Sequence, residues 1–300
     1  MDPYAAFRDD LIAAGHLVPS GVDGVFGRGV DFEAIVDGVS RCALDAGGDM
    51  NATALSFPPI LPRVVLERND YLRAFPDLIG LVTSFNGGDR EHREVLELQE
   101  AGEEWASRFE PTELALCTAT CHPIYPMVAG QLPDGGRRFT VFGWNFRHEP
   151  SVDPARMQAF RQREYVYVGD PTGAEGFRDL WIERAHDVLT SLGLAVEAVV
   201  ANDPFFGRSG RLLAAGQLEE ALKYELVTPI CSTEKPTAIA SSNCHRDHFG
   251  VPFGITTANG ETAHSACVGF GLERITLALL HTHGLDVTKW PGETRTRLWG

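Results

Sequence analysis

The spacing of apolar residues changes character about a third of the way along the chain. Asp2-Pro3 followed by Tyr4, Phe7, Leu11 and Ile12 predicts a helix with an acidic N-cap and a proline in its first turn, ended by Gly15. Val30 to Ala46 has a second helical pattern, whereas Pro58, Pro59 and Pro62 deny helix between Ala52 and Arg63. Ser56-Phe57 and Ile60-Leu61 are left, at most, as short edge strands. Asp89 to Phe109 is acidic, with Val95, Leu98, Ala101 and Trp105 on one side, as expected of a solvated helix face over a core stripe. From Glu113 the pattern turns β-rich: Leu114 to Cys117, Phe139 to Trp144 and Tyr165 to Val168, separated by turn clusters such as Pro133-Asp134-Gly135-Gly136. Arg178 to Leu192 and Leu212 to Leu222 read as helices. Ala195 to Val200, Tyr224 to Ile230 and Thr237 to Ser242 read as strands, and Ile275 to Leu280 is the apolar centre of a last helix. Strands come in runs and not in regular alternation with helices, which predicts an α+β fold on an antiparallel sheet.

With 300 residues, 44% of them hydrophobic, the chain can build one large core or two small ones. Its 31 glycines and 18 prolines are dispersed, with no repeat or low-complexity tract, which favours one compact domain. No run approaches the ~18 apolar residues of a membrane span. Met1-Asp2-Pro3-Tyr4 lacks the basic and apolar regions of a signal peptide, so a cytoplasmic protein without a membrane partner is expected. Lys and Arg total 26 against 41 Asp and Glu, a net charge of −15, the reverse of a nucleic-acid-binding footprint. Six cysteines are too sparse for a disulfide scaffold, leaving metal binding, catalysis or burial.

Three constellations could carry chemistry. Cys117 to His122 contains two cysteines and a histidine, but at a spacing that fits neither haem attachment nor a zinc ribbon. Cys244-His245 with His248, and His264 with Cys267, add further soft ligands, so several zinc quartets are open, as is simple burial. Phe146-Arg147-His148-Glu149 precedes a loop, Arg156 to Phe160, and a strand from Arg163 to Gly169. In such a hairpin Arg147 and Glu149 share a face; the arginine fork can grip phosphate and Phe160 can stack on a base, unless the pair is an ordinary surface ion pair. Gly269-Phe270-Gly271-Leu272-Glu273-Arg274 opens an apolar helix at a point where anions are attracted, a common arrangement when it stands alone.

In this order the constellations resemble motifs 2 and 3 of the class II aminoacyl-tRNA synthetases. More narrowly, Cys121-His122-Pro123-Ile124-Tyr125-Pro126, Arg163-Glu164-Tyr165 and Ala263-His264-Ser265-Ala266-Cys267 resemble the amino acid:[carrier protein] ligases, stand-alone relatives of the zinc-dependent archaeal-type seryl-tRNA synthetases. The resemblance spans roughly residues 110 to 290. It implies one zinc ion per chain held by Cys121, Glu164 and Cys267, with an open coordination position for a substrate α-amino group, so that Glu164 also borders the substrate. It implies ATP, with Mg²⁺, as the activating substrate. Arg147 would lie on the α-phosphate and Arg274 on the γ-phosphate and adenine side; Glu149, Arg156, Met157 and Phe160 would bind adenine. Lys223 and the strand Ala238, Ile239, Ala240 and Ser241 would supply further ATP contacts. A small amino acid, glycine or alanine, would become an adenylate and then a thioester on the phosphopantetheine of a carrier protein.

The same resemblance implies a homodimer and a single catalytic domain over 1–300, with a helical or irregular part at 1–110, a motif-bearing core at 111–300, no tRNA-binding domain and no nucleic-acid partner. Phe205 to Leu213, with Arg208 and Arg211, is the expected docking surface for the carrier protein. The competing readings are a non-catalytic synthetase-derived amino-acid-binding or regulatory protein, a structural zinc site of Cys121, His122, His264 and Cys267, and a tRNA ligase.

Overall fold

Seven strands form the central sheet, in the order Glu197–Ala201, Lys223–Thr228, Thr237–Arg246, His264–Gly271, Ala159–Gly169, Arg137–Phe146 and Thr53–Ser56. The computed structural model describes residues 2–203 and 220–300. All neighbours pair antiparallel except the edge strand Thr53–Ser56, which runs parallel to Arg137–Phe146. The expected α+β architecture is therefore present, with one parallel edge. A separate three-stranded sheet joins Ile60–Pro62, Glu110–Leu116 and Leu81–Ser84.

The strand Ala159–Gly169 sets the two layers. Its Tyr165-Val166-Tyr167-Val168 run is β-branched and aromatic, and successive side chains go to opposite faces. Tyr165 and Tyr167 enter a core shared with the helices Val30–Ala46, Pro171–Ser191 and Leu272–His283. Val166 and Val168 enter a second core, which holds Cys121, Tyr125, Phe139, Phe249 and Cys267. One face of the sheet is thus plated with helices, and the other carries Cys117, Cys121 and Cys267.

Helix boundaries follow local chemistry. Asp2 caps Pro3–Ala13 by accepting from the Tyr4 N–H. Pro171–Ser191 starts seven residues before the expected Arg178, because Asp170 accepts from the Gly173 N–H and Pro171 occupies the first turn. The Asp89–Phe109 expectation needs correction: the helix stops at Ala101, where Gly102 adopts a left-handed φ of 71°, and no residue of it is buried. Trp105 lies past the end of the helix and sits edge-on to Phe109, and within the helix Val95 and Leu98 are only partly buried. The predicted helix at Leu212 to Leu222 and the Phe205 to Leu213 surface lie largely or wholly outside the described residues. No helix among the described residues is long and apolar enough to cross a membrane.

Gly47, just past the Val30–Ala46 helix, lies against the ring of Tyr165, whose hydroxyl donates to the Leu44 carbonyl at 2.7 Å. A Cβ at Gly47 would stand 2.3 Å from that ring. Gly47→Ala is expected to cost about 1–3 kcal/mol in urea unfolding. Gly176→Ala, in an exposed helix interior with nothing within 4 Å, is expected to be neutral or to stabilise by about 0.5–1 kcal/mol. Equal effects at the two positions would refute the packing described.

Candidate active site and metal centre

The hairpin of Arg137–Phe146 and Ala159–Gly169 places Val141 opposite Glu164, and Glu164 lies opposite Gly269 on its other side. Cys267 is paired with Val166 and, across the next strand, with Asn243. Glu164 and Cys267 therefore emerge on neighbouring strands at the sheet's centre. Gly269 has no side chain to fill the space beside the carboxylate; an added Cβ would stand 3.2 Å from Gln162 Nε2 and 3.6 Å from Glu164 Cγ. Cys121 arrives from the turn after the Glu110–Leu116 strand, where the Ile124 N–H donates to its carbonyl.

The ligand atoms of Cys121, Glu164 and Cys267 all lie within 4.8 Å of one another, and all three residues are buried. The Cys121 thiol donates to Cys267, which His245 Nε2 and Asn243 Nδ2 also approach at 3.5 and 3.6 Å. These contacts hold the Cys267 thiol well below its ordinary range, and the bond to Cys267, together with burial, pushes Cys121 well above it. Burial, and then the charge on Cys267, raise the Glu164 carboxyl to about 8. Its Oε2 has no hydrogen-bond partner. A buried pair of thiols and a carboxylate oxygen left unanswered form a donor set suited to a soft divalent cation, and the residues fit such an ion.

The residues expected on the nucleotide side include a group around the hairpin loop, whose base is closed by the Arg147 N–H donating to the Gln158 carbonyl at 2.9 Å. The Arg147 guanidinium lies 5.5 Å from the Phe160 ring centroid, and its Nε is 3.4 Å from the Thr118 carbonyl. Glu149 pairs with Arg156 at 3.1 Å across the loop, and Met157 is buried beneath it. Arg274 donates to the carbonyls of Ala155 (2.8 Å) and Ala238 (3.1 Å). Burial, followed by the charges of Arg147 and Arg156, lowers its pKa, so three guanidiniums converge here. Ile239 and Ala240 turn into or line the helix-side core, and Ser241 accepts from Asn243. Lys223 is held between Asp203 (2.5 Å) and Glu225 (3.0 Å), which outweigh the burial that opposes its charge.

The quartet Cys121, His122, His264 and Cys267 is not assembled among the described residues. His122 bonds the Thr118 hydroxyl at 3.1 Å and packs on Tyr71 and Phe249. His264, three residues before Cys267 on one strand, points to the other face. Cys244 likewise enters the helix-side core, and His248 bonds the Asn69 carbonyl. Sequence reasoning missed Asn243 as a neighbour of Cys267 and the chain Thr120–Asn145–Gln162, in which Asn145 donates at 2.9 and 2.6 Å. For Asn243, Asn145 and Gln162 the one signal was a polar residue within a strand.

No protein-family model matches the chain. It is 43% identical over 296 residues to Amino acid--[acyl-carrier-protein] ligase 1 of Bradyrhizobium diazoefficiens, covering 98% of this chain and 89% of that one. It is 27% identical over 257 residues to a Type-2 serine--tRNA ligase of Methanopyrus kandleri, covering 78% of this chain and 49% of that protein. The fold superposes on M. kandleri seryl-tRNA synthetase, in its crystal structure with A. aeolicus tRNASec, with a TM-score of 0.83 at 22% identity. That match takes in 97% of this chain and 59% of the synthetase chain. The fold is thus that of the class II aminoacyl-tRNA synthetase catalytic domain. Within that class, the chain belongs to the amino acid--[acyl-carrier-protein] ligases, and it is an enzyme of that family.

Burial of His122 generates a pH dependence. Desolvation, then Arg147, lower its pKa from 6.5 to about 3, so the folded protein keeps the ring neutral while the unfolded chain protonates it. The stability this represents is complete above pH 6.5 and is lost toward pH 3 at about 1.4 kcal/mol per unit. His248, also lowered by burial, acts in the same direction. His122→Phe is expected to flatten the slope of unfolding free energy between pH 6.5 and about 4.5, where carboxylates take over. An unchanged slope would show that the ring is not held neutral.

Proposed function

We propose that this enzyme activates glycine or alanine with ATP and passes the aminoacyl group to the phosphopantetheine thiol of a carrier protein. The observation that carries this reading is that Arg147, one of three converging arginines, lies close enough to Glu164 of the Cys121–Glu164–Cys267 group for their charges to interact. Cys121, Glu164 and Cys267 would hold one zinc ion, which when bound offers an open position to a neutral amine and so selects an amino acid.

In this reading the amino acid's carboxylate oxygen attacks the α-phosphorus of ATP, the bond to the β-phosphate bridge breaks, and pyrophosphate leaves. Arg147 neutralises charge developing on the α-phosphate, and Arg274 holds the γ-phosphate from the adenine side. Phe160 stacks on adenine, while Glu149 and the Arg156-Met157 backbone read its edge. Lys223 and the strand from Ala238 to Ser241 complete the nucleotide contacts, and Mg²⁺ accompanies the phosphates. The carrier's sulfur then attacks the acyl carbon and AMP departs. Positioning and charge neutralisation supply the catalysis, with no protein nucleophile.

The net charge of −15 favours a carrier thiol over tRNA as acceptor, and a class II catalytic domain working as a homodimer completes the reading. A methyl group is worth only about 1–3 kcal/mol in a fitted pocket, so glycine and alanine are both expected to react, at different rates.

ATP–pyrophosphate exchange is expected with glycine or alanine and to vanish when the metal is chelated. Arg147→Ala or Arg274→Ala should lower it by about 10²–10³. Cys121→Ser should lose bound metal, by elemental analysis, together with exchange. Absence of exchange with every one of the common amino acids would overturn the proposal.

A further inference from the structure

The strand bearing Glu164 has a second face, on the helix side of the sheet, where three of its residues make polar contacts with one helix of the N-terminal segment. Phe160, Gln162 and Glu164 alternate toward the site, whereas Arg161, Arg163 and Tyr165 alternate toward the Val30–Ala46 helix. Arg161 grips Glu33 in a bidentate pair at 2.6 and 2.8 Å. Arg163 donates to the Ser40 hydroxyl at 3.1 and 3.2 Å, and the Tyr165 hydroxyl to the Leu44 carbonyl at 2.7 Å. Residues 161, 163 and 165 are thus matched in order by 33, 40 and 44 of one helix.

The first of these contacts reaches the nucleotide side. Arg161 donates its Nε to Glu273 Oε1 at 2.8 Å, and its backbone N–H donates to Glu273 Oε2 at 2.6 Å. Glu273 is the residue before Arg274, and Phe160 is the residue before Arg161. Arg28 approaches Glu273 at 3.6 Å, and Arg28 and Arg161 both lie over the Trp144 ring, at 4.9 and 4.7 Å. Two carboxylates and two guanidiniums therefore balance in a cluster that is largely buried except at Glu33 and joins the N-terminal segment, both hairpin strands and the last glycine-rich turn.

We infer that Glu33 is a positioning residue for nucleotide binding: through Arg161 and Glu273 it sets the spacing between Phe160 and Arg274. This rests on the adenylation reading above. A phosphate or base contact displaced by about 1 Å can cost up to a hundredfold, and the side chains that support a site are what hold such distances. Glu33 itself touches no substrate. Its carboxylate holds the Arg161 fork on the strand, so that Glu273, and with it the first turn of the Leu272–His283 helix, keeps one height above the hairpin.

The test measures binding of α,β-methylene-ATP to the metal-loaded full chain by calorimetry, together with KM for ATP in pyrophosphate exchange. Glu33→Gln keeps the side chain's shape and removes its charge; it is expected to weaken analogue binding and raise KM about tenfold while metal content stays the same. Asp31→Asn, an exposed charge in the same helical turn, should change neither. Where Glu33→Gln does not fold, Glu33→Asp, which keeps the charge and shortens the reach, should raise both constants about threefold. A Glu33 whose loss lowers only the melting temperature or the active fraction, with Kd and KM unmoved, overturns the inference. A wild-type chain that binds no nucleotide overturns the adenylation reading and this inference with it.

Discussion

Two carboxylates are buried at the centre of this fold, and they are answered in opposite ways. Removing an ionised carboxylate from water costs several kcal/mol unless a positive partner follows it in. Glu273 has such a partner in Arg161, which meets it with both Nε and the backbone N–H, and Arg28 stands nearby. Glu164 makes no ion pair among the described residues: its Oε2 accepts no hydrogen bond, and burial, then the charge on Cys267, push its carboxyl up to about 8 against the opposing charge of Arg147. Because the two meet opposite faces of one strand, the sheet separates a completed charge balance from an uncompleted one. The completed side holds the scaffold together, and the uncompleted side is where a cation from outside the chain would bind.

The same separation lets an acidic protein offer a site for a polyanion. Net charge acts over the whole surface, whereas a bound phosphate responds to groups within a few ångströms, screened little where they are buried. Arg147, Arg156 and Arg274 converge, and among the described residues the one ion pair there is Arg156 with Glu149; Arg274 donates to the carbonyls of Ala155 and Ala238, while the charges of Glu149 and Asp153 oppose those of Arg147 and Arg156. Carbonyls orient a guanidinium without neutralising it. The cluster keeps positive charge for a ligand, in a chain whose remaining surface is strongly acidic.

What was legible in the sequence depended on whether the determining partner was close along the chain. The helix caps at Asp2 and Asp170 are local, and the second was overlooked although Asp170-Pro171 is as clear a start as Asp2-Pro3. The hairpin and the glycine-rich turn were legible because their residue types and order are distinctive. Glu164 could be singled out only by resemblance, since a glutamate in a strand has no spacing signature of its own. The Asp89–Ala101 helix shows the limit of periodicity: an apolar stripe indicates that a helix has a side, and says nothing of whether anything lies under it. The Arg161–Glu33 pair, separated by 128 positions, leaves no trace in either local pattern.

That long-range pair changes what the N-terminal segment is for. A helix that only covered a sheet would meet it through apolar side chains, which tolerate sliding because dispersion contacts are non-directional. The Val30–Ala46 helix does bury Phe32, Ile35, Val36 and Val39 in this way. It also places a carboxylate, a hydroxyl and a carbonyl against three successive same-face residues of the strand, and hydrogen bonds, unlike dispersion contacts, weaken steeply when their angle is lost. Apolar burial supplies the adhesion and the polar contacts supply the register. The mechanism proposed above, which works by positioning with no protein nucleophile, needs the second as much as the first.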